Sequence, residues 1–316
     1  QRHPEIWFDD GNIVLVAHKT AFRIYGGLLA GQSTVFSDMF ASSSPDETFE
    51  GCPVVHLSDS PPDLVHLLRV LLPIYHWHPT SANPECTFDE ISAVIRLAHK
   101  YNIPRVQDQA LTSLHECDFP TSFAVYFNPP PKPQIALESE HSIDVVNLAR
   151  LTDTPSLLPL VLYDCAILGS DVFDAWTHED GSVEHLSEAD LRRCVDAHVA
   201  LTDERTFSLS YMLDDTPSGD CERPDSCVAE LRRFHPNAMR SERLTRQAHV
   251  LMDWREAVEW IGESGALCKP CTEEVVERNE RERKNVFDKL PETFGITVEG
   301  WGAAEKETEA GPEQGN

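Results

Sequence analysis

Four cysteines in the last third of the chain are the residues best suited to chemistry, because thiolates bind soft metal ions. Five residues separate Cys221 from Cys227, and two residues separate Cys268 from Cys271. Four thiolates surround Zn²⁺ as a tetrahedron with Zn–S distances of about 2.3 Å, and a site with four protein ligands leaves no position for water. The spacing therefore predicts a structural zinc site formed by Cys221, Cys227, Cys268 and Cys271.

The same cysteines allow other interpretations. They can be two unlinked pairs of thiols in a reducing compartment, or they can form a disulfide or redox pair. His235 and His249 lie between the two pairs and are candidates to replace one cysteine as a ligand. The chain has nine cysteines spread over 316 residues. An odd number at this density argues against a secreted disulfide framework and predicts an intracellular location, in the cytoplasm or the nucleus.

An arginine-rich segment overlaps the cysteines and suggests an anion site. The chain has a formal net charge of −27, which repels nucleic-acid phosphates and anionic lipid, so neither is an expected partner. We expect the arginines to pair with the acidic middle of the chain. The alternative is a zinc-stabilised transcriptional regulator that contacts nucleic acid or a corepressor. The segment contains Arg223, Arg232, Arg233, Arg240, Arg243, Arg246 and Arg255.

Other polar groups do not assemble into a catalytic motif. The histidines in His76–His78 stand beside a proline without an acidic neighbour, and His198 lies on an apolar helix face. Asp9–Asp10 and Asp214–Asp215 are typical turn residues. Glycine-rich phosphate loops and nucleophile motifs are not found in the sequence. We therefore expect a protein that is not an enzyme.

The elements that must position the cysteines are helices. Ser187 and Asp190 form a capping box at the start of one helix, and apolar spacing predicts two further helices over 240–261 and 272–290. These patterns predict a helical domain over 142–215 and a helical, cysteine-containing module over 216–302. A disordered acidic tail is expected over 303–316.

The first 118 residues alternate short strands with helices. Strands are predicted over 12–17 and 20–25, on either side of a turn at His18 and Lys19, and over 53–57. Helix starts are predicted at Ser60, Thr87 and Pro104. The fold class is therefore α+β, with an all-helical C-terminal region. A proline-rich segment over 119–141 predicts a linker.

The order of motifs in this first domain resembles a BTB/POZ domain. The carrying residues are TAFRIYGGLLAGQSTVFSDMF (20–40), VVHL (54–57) and ISAVIRLAHKYNI (91–103). With WFDDGNIVLVA, EGCPVVHLSDSP, VVNLARLTDTPSLLPLVLYDC and LPETFG, the whole chain resembles BTB proteins of mushroom-forming fungi. The stretch 42–47 departs from the apolar-x-Glu element of cullin-binding members. The resemblance implies self-association and, for many members, recruitment of a substrate to a cullin ubiquitin ligase or of a corepressor to a gene.

These features together predict a protein–protein interaction module. We expect a homodimer formed by the first domain, with a partner recruited by the helical region. The alternative for the apolar residues of the predicted dimer surface is the core of the domain itself. The predicted surface comprises Ile6, Trp7, Phe8, Leu28, Leu29, Val35, Phe36, Met39 and Phe40.

Overall fold

The computed structural model describes residues 1–42, 47–72, 87–117, 119–129, 137–178, 181–240 and 248–302. The chain divides into two compact units, each built from three segments. The first unit is Gln1–Phe119, Pro130–Leu157 and Phe173–Leu186, and the second is Pro120–Pro129, Leu158–Val172 and Ser187–Asn316. The domains expected from the sequence are consecutive stretches of chain, whereas each of these units combines segments that alternate with those of the other. The expected domain limits remain predictions of where independently folding domains begin and end.

A five-stranded sheet forms the centre of the first unit. Its strands are β1 (Arg2–Trp7), β2 (Ile13–Ala17), β3 (Thr20–Ile24), β4 (Thr48–Phe49) and β5 (Cys52–Leu57), in the order β1-β3-β2-β5-β4. The β2–β3 hairpin is antiparallel, and β2 pairs with β5 in parallel. The two-residue turn predicted between β2 and β3 is present. His18 in this turn has a φ of 50°, as expected because tight hairpin turns need positive φ values.

The helices begin where the capping signals predict. Ser60 Oγ accepts from Asp63 N–H at 3.2 Å, and Thr87 Oγ1 accepts from Glu90 N–H at 3.3 Å. The helices are α1 (Gly26–Ala30), α2 (Thr34–Ser42), α3 (Pro61–Leu71), α4 (Phe88–Lys100), α5 (Pro104–Cys117), α6 (Phe123–Phe127), α7 (His141–Leu151), α8 (Leu158–Ile167), α9 (Glu188–Met212), α10 (Pro224–Arg240), α11 (Arg255–Glu263) and α12 (Lys269–Thr293).

The expectation of an all-helical C-terminal region is wrong at one place. Strands β6 (Trp176–Thr177) and β7 (Val183–Glu184) form an antiparallel ribbon that belongs to the first unit. Within that unit α7 packs against α4 and the ribbon packs against α7. A strand of two residues leaves too little alternation in the sequence to be predicted.

The predicted helix over 240–261 is also wrong. Helix α10 ends at Arg240 and α11 begins at Arg255, so residues 248–254 are not helical. Buried arginines bind the backbone of this stretch: Arg205 Nη1 donates to the His249 carbonyl at 2.6 Å, and Arg283 Nε donates to the Leu251 carbonyl at 2.8 Å. These tertiary hydrogen bonds replace those of a helix. The helix predicted over 272–290 lies within α12.

Several predicted features lie outside the described residues. They are the histidines of 76–78, Arg243 and Arg246, the prolines at 130–133 and the acidic tail over 303–316. Among the helices that the structure does describe, none combines the length and the apolar character needed to cross a membrane.

Candidate metal centre

The four predicted cysteine ligands come together in the second unit. Their Sγ atoms all lie within 4.8 Å of one another, and the Sγ atoms of Cys221 and Cys268 are 3.7 Å apart. A zinc tetrahedron with Zn–S bonds of about 2.3 Å has S···S edges of about 3.8 Å. The sulfur spacing therefore fits Zn²⁺, and the two pairs are not separate from each other.

Two helix N-termini position the cluster. Cys227 lies in the first turn of α10, while Cys268 is the N-cap of α12 and Cys271 lies in its first turn. Cys221 is in the loop that joins α9 to α10. Because the amide groups at a helix N-terminus carry partial positive charge, both helices favour thiolates at these positions.

Apolar side chains surround the sulfurs. Cys227, Cys268 and Cys271 are buried, whereas Cys221 is half-buried. Burial of three of the four sulfurs is typical of structural rather than catalytic metal sites, because catalytic sites keep a position open to water or substrate. The surrounding core comprises Leu209, Met212, Leu213, Leu231, Val258, Leu267 and Val275.

The thiols differ in acidity. Burial acts to raise the pKa of the Cys268 thiol, but hydrogen bonds from the backbone amides of Cys271 and Glu222 and from neighbouring thiols outweigh it and lower that pKa to about 6. Burial raises the pKa values of Cys227 and Cys271. Cys268 is thus more readily deprotonated than Cys227 and Cys271, and a bound cation would replace the protons on those two thiols.

The alternative ligands lie elsewhere. His235 Nε2 is 3.0 Å from Ser210 Oγ, and the His249 carbonyl accepts from Arg205. Neither imidazole belongs to the group of ligand atoms at the cluster. The seven cysteines whose side chains the structure describes are all free thiols.

A second group of metal-ligand types gathers in the first unit, and sequence reasoning missed it. Asp144, His178 and Glu184 place one ligand atom each within 4.8 Å of the others. Arg96 forms ion pairs with Asp144 and, at 2.9 Å, with Glu184. His178 Nδ1 is 3.2 Å from Asp89 Oδ1. Because the Arg96 guanidinium already bridges the two carboxylates, we interpret this group as an ion-pair network.

The residues of this network come from α4, α7 and the β6–β7 ribbon, and they therefore fix the ribbon and α7 to α4. Asp144 is fully buried, and burial raises its pKa although Arg96 opposes the rise. Three acids and a histidine distributed over almost a hundred positions form no local motif. The sequence offered no signal for this contact.

The predicted interface residues divide into two sets. Ile6, Leu29 and Phe36 are fully buried in the core of the first unit. Within one chain they therefore fit the alternative interpretation, in which these residues form the core of the domain rather than a dimer surface. The others are not buried, and Leu28 is 37% exposed. The remaining members of this second set are Trp7, Phe8, Val35, Met39 and Phe40.

An aromatic group accompanies these residues. The rings of Trp7 and Phe49 meet edge to face with centroids 6.0 Å apart, and Phe49 is 43% exposed. The Arg2 guanidinium lies 4.7 Å from the centroid of Trp7. Phe8 stacks on Tyr25 at 5.2 Å. Phe49 was missed because β4 has only two residues and gives no strand pattern.

The described arginines of the basic segment have partners within the second unit. Arg232 pairs with Asp215 at 2.7 Å and Arg233 pairs with Glu230 at 2.7 Å. Arg255 lies 3.8 Å from Glu280, and Arg223 donates to the Gly265 carbonyl. Of these contacts, only Arg232–Asp215 reaches the acidic middle of the chain that the sequence predicted as the partner, so that prediction holds for one arginine and the other three pair locally within 223–280. Arg240 lies at the end of α10.

The chain matches no family model, no curated protein and no solved structure. Its function is therefore inferred from its own residues and from the order of its elements.

Proposed function

We propose that this protein is a non-enzymatic interaction protein that self-associates through a BTB/POZ-like first unit. The observation that carries the proposal is the order of elements in that unit. The β2–β3 hairpin is followed by α1 and α2, then by β5 parallel to β2, and then by α3, α4 and α5. This is the order of strands and helices that the resemblance to BTB/POZ domains implies.

The dimer surface in this proposal is formed by the half-exposed apolar residues of the first unit. Trp7, Phe8 and Leu28 supply the aromatic and aliphatic groups that protein interfaces favour at their centres. A two-fold interface uses the same patch on both chains, and a stable one buries roughly 800 Å² per partner. In the dimer these apolar side chains would be removed from contact with water, and their burial would drive dimer formation.

The helical second unit recruits the partner in this proposal. Its cysteine cluster holds one Zn²⁺ per chain through Cys221, Cys227, Cys268 and Cys271, with no catalytic role. Metal binding supplies folding free energy to a region whose loops lack other cross-links. In the adaptor form of the proposal, the first unit binds a cullin scaffold and the helical unit captures the substrate brought to the ubiquitin ligase. In the alternative form, the protein recruits a transcriptional corepressor.

Light scattering of the purified chain tests self-association. We expect the mass of a dimer at micromolar concentration. Leu28→Glu places a charge in the proposed interface and should give a monomer. Leu151→Glu is the matched control, because Leu151 is 41% exposed, close to the 37% of Leu28, and lies at the end of α7. A wild-type monomer, or a Leu28→Glu dimer, overturns the proposed interface.

Mixing the chain with the N-terminal domain of a BTB-binding cullin separates the two kinds of partner. A stable heteromeric mass supports the ubiquitin-ligase adaptor. A dimer whose mass does not change when the cullin domain is added supports recruitment of a corepressor.

A further inference from the structure

Cys221 differs from the other three cysteines of the cluster in its access to solvent. It is half-buried, whereas Cys227, Cys268 and Cys271 are enclosed by the core of the second unit. It also lies in a loop, between the end of α9 and the start of α10. A small oxidant that approaches the cluster therefore meets the sulfur of Cys221 first, since thiolate oxidation follows exposure.

Cys268 lies within reach of an oxidised Cys221. Their Sγ atoms are 3.7 Å apart, and a disulfide has an S–S length of about 2.05 Å. The two sulfur atoms must therefore move about 1.7 Å closer together to form the bond. The loop that carries Cys221 is open to solvent at Gly219, two positions earlier, where an added Cβ would meet no atom within 4 Å.

We infer that the cysteine cluster is a peroxide-sensitive switch in which Cys221 and Cys268 form a disulfide and the metal is released. The inference rests on the proposed zinc site and adds its regulation. Two of the four ligands are lost in one reaction, so the remaining thiolates of Cys227 and Cys271 form only half of a tetrahedral site.

The reaction balances with a hydroperoxide as the oxidant. The Cys221 thiolate attacks one peroxide oxygen, the O–O bond breaks, and a sulfenic acid and hydroxide form. The Cys268 thiolate then attacks Sγ of Cys221 and expels a second hydroxide as the S–S bond forms. Two thiolates lose two electrons in total, and the peroxide gains them. A dithiol reductant reverses the reaction and restores both ligands.

The consequence is local to the second unit. In the reduced form, the cluster joins the α9–α10 loop to the N-terminus of α12 through a metal with four ligands. In the oxidised form, one covalent bond joins the same elements, and Cys227 and Cys271 return to being buried thiols. Oxidation should therefore lower the stability of the second unit without unfolding the first.

The test treats the full-length, zinc-loaded chain with hydrogen peroxide. A metal-binding dye measures released zinc, and peptide mapping without reductant identifies the disulfide. We expect release of one zinc per chain together with a Cys221–Cys268 bond, both reversed by a dithiol and added zinc. A disulfide between any other pair, or retention of zinc under peroxide, overturns the switch.

Two variants sharpen the test. Cys221→His leaves a three-cysteine, one-histidine set, which is an ordinary structural zinc site, and it removes the accessible thiol; release should slow at least about tenfold. Cys194→Ser is the matched control, because Cys194 is a buried cysteine of α9 outside the cluster, and it should behave like the wild type. Release from Cys221→His at the wild-type rate overturns the role of Cys221.

Failure of the switch is distinguishable from failure of the proposed zinc site. A wild-type chain that neither contains nor binds zinc contradicts the zinc site itself. A chain that holds one zinc and keeps it under peroxide contradicts only the switch. If Cys221→His does not load with zinc, the disulfide map of the wild-type chain decides.

Discussion

The Sγ atoms of Cys221 and Cys268 lie 3.7 Å apart, although 47 positions separate the two residues in the chain. The contact fixes the loop after α9 to the first turn of α12, and the adjoining backbone takes part: Cys268 N–H points to Cys227 Sγ at 3.4 Å. The spacing and burial of these sulfur atoms are compatible with the binding of a single cation by all four cysteines.

Removing one buried cysteine ligand should remove the metal and destabilise the second unit. We expect Cys271→Ser to lose bound zinc and to lower the free energy of unfolding by more than about 3 kcal/mol, because zinc binding is coupled to folding. Cys194→Ser should retain the metal, since its thiol lies outside the cluster. Elemental analysis and thermal unfolding measure both effects. Equal zinc content in the two variants would falsify the assignment.

Acidification should destabilise the first unit through buried His141 and partly buried His115. Burial lowers the pKa values of His115 and His141, and His141 Nδ1 accepts from Glu138 N–H at 2.7 Å. The folded state therefore prefers neutral rings. The stabilisation is fully present above the unfolded pKa of 6.5 and is lost as the pH falls through the lower folded values.

The size of this effect is bounded. Each histidine changes the free energy of unfolding by at most about 1.4 kcal/mol per pH unit. Denaturant unfolding between about pH 7 and pH 5 measures the slope. His115→Gln should reduce it, because the amide does not titrate. An unchanged slope in this variant contradicts the role of His115.

Helices α11 and α12 approach closely at Gly262. A Cβ at this position would lie 2.5 Å from Thr272 Oγ1 and 2.9 Å from Thr272 Cγ2. Gly262→Ala should therefore cost about 1–3 kcal/mol, the range for overpacking. Gly219→Ala is the control, because its Cβ would meet no atom within 4 Å. Similar melting temperatures for the two variants would show that the helices separate without penalty.

The ion-pair network of the first unit should be sensitive to neutralisation of Asp144. Asp144→Asn leaves the partly exposed Arg96 with one carboxylate partner. Breaking a fully buried pair costs about 3–5 kcal/mol, and we expect a smaller loss here because water reaches Arg96. Glu5→Gln is the comparison, since Glu5 pairs with Arg69 at 2.7 Å on the surface and such pairs contribute about 0–1 kcal/mol. Chemical denaturation ranks the two variants. An Asp144→Asn chain as stable as Glu5→Gln would contradict the network.

Features set by neighbouring residues could be predicted from the sequence. The turn at His18 and the helix starts at Ser60, Thr87 and Ser187 depend on contacts within four positions. The cysteine cluster was also predictable, because two pairs of closely spaced cysteines are typical of a four-ligand metal site, although the spacing of the second pair equally suits a redox pair. The zinc ion itself stays a proposal.

Features set by distant residues could not be predicted. Strand β1 exists through pairing with β3, and β4 has two residues. The helix expected over 240–261 fails because Arg205 and Arg283 bind the backbone of 248–254. Asp144 meets Arg96 across 48 positions. Contacts between residues so far apart in the chain leave no pattern in the local sequence from which they could be predicted.

The interleaving of the two units has a consequence for synthesis on the ribosome. The first unit is incomplete until Leu186 has been made, because its last segment is Phe173–Leu186. By then two segments of the second unit, Pro120–Pro129 and Leu158–Val172, have already been made, and they still lack α9 to α12 as packing partners. A chain that ends near residue 119 lacks Asp144, the partner of Ser92 and Arg96. Neither unit is therefore the product of one continuous stretch of chain, and a chain cut anywhere between 130 and 186 would leave both units incomplete.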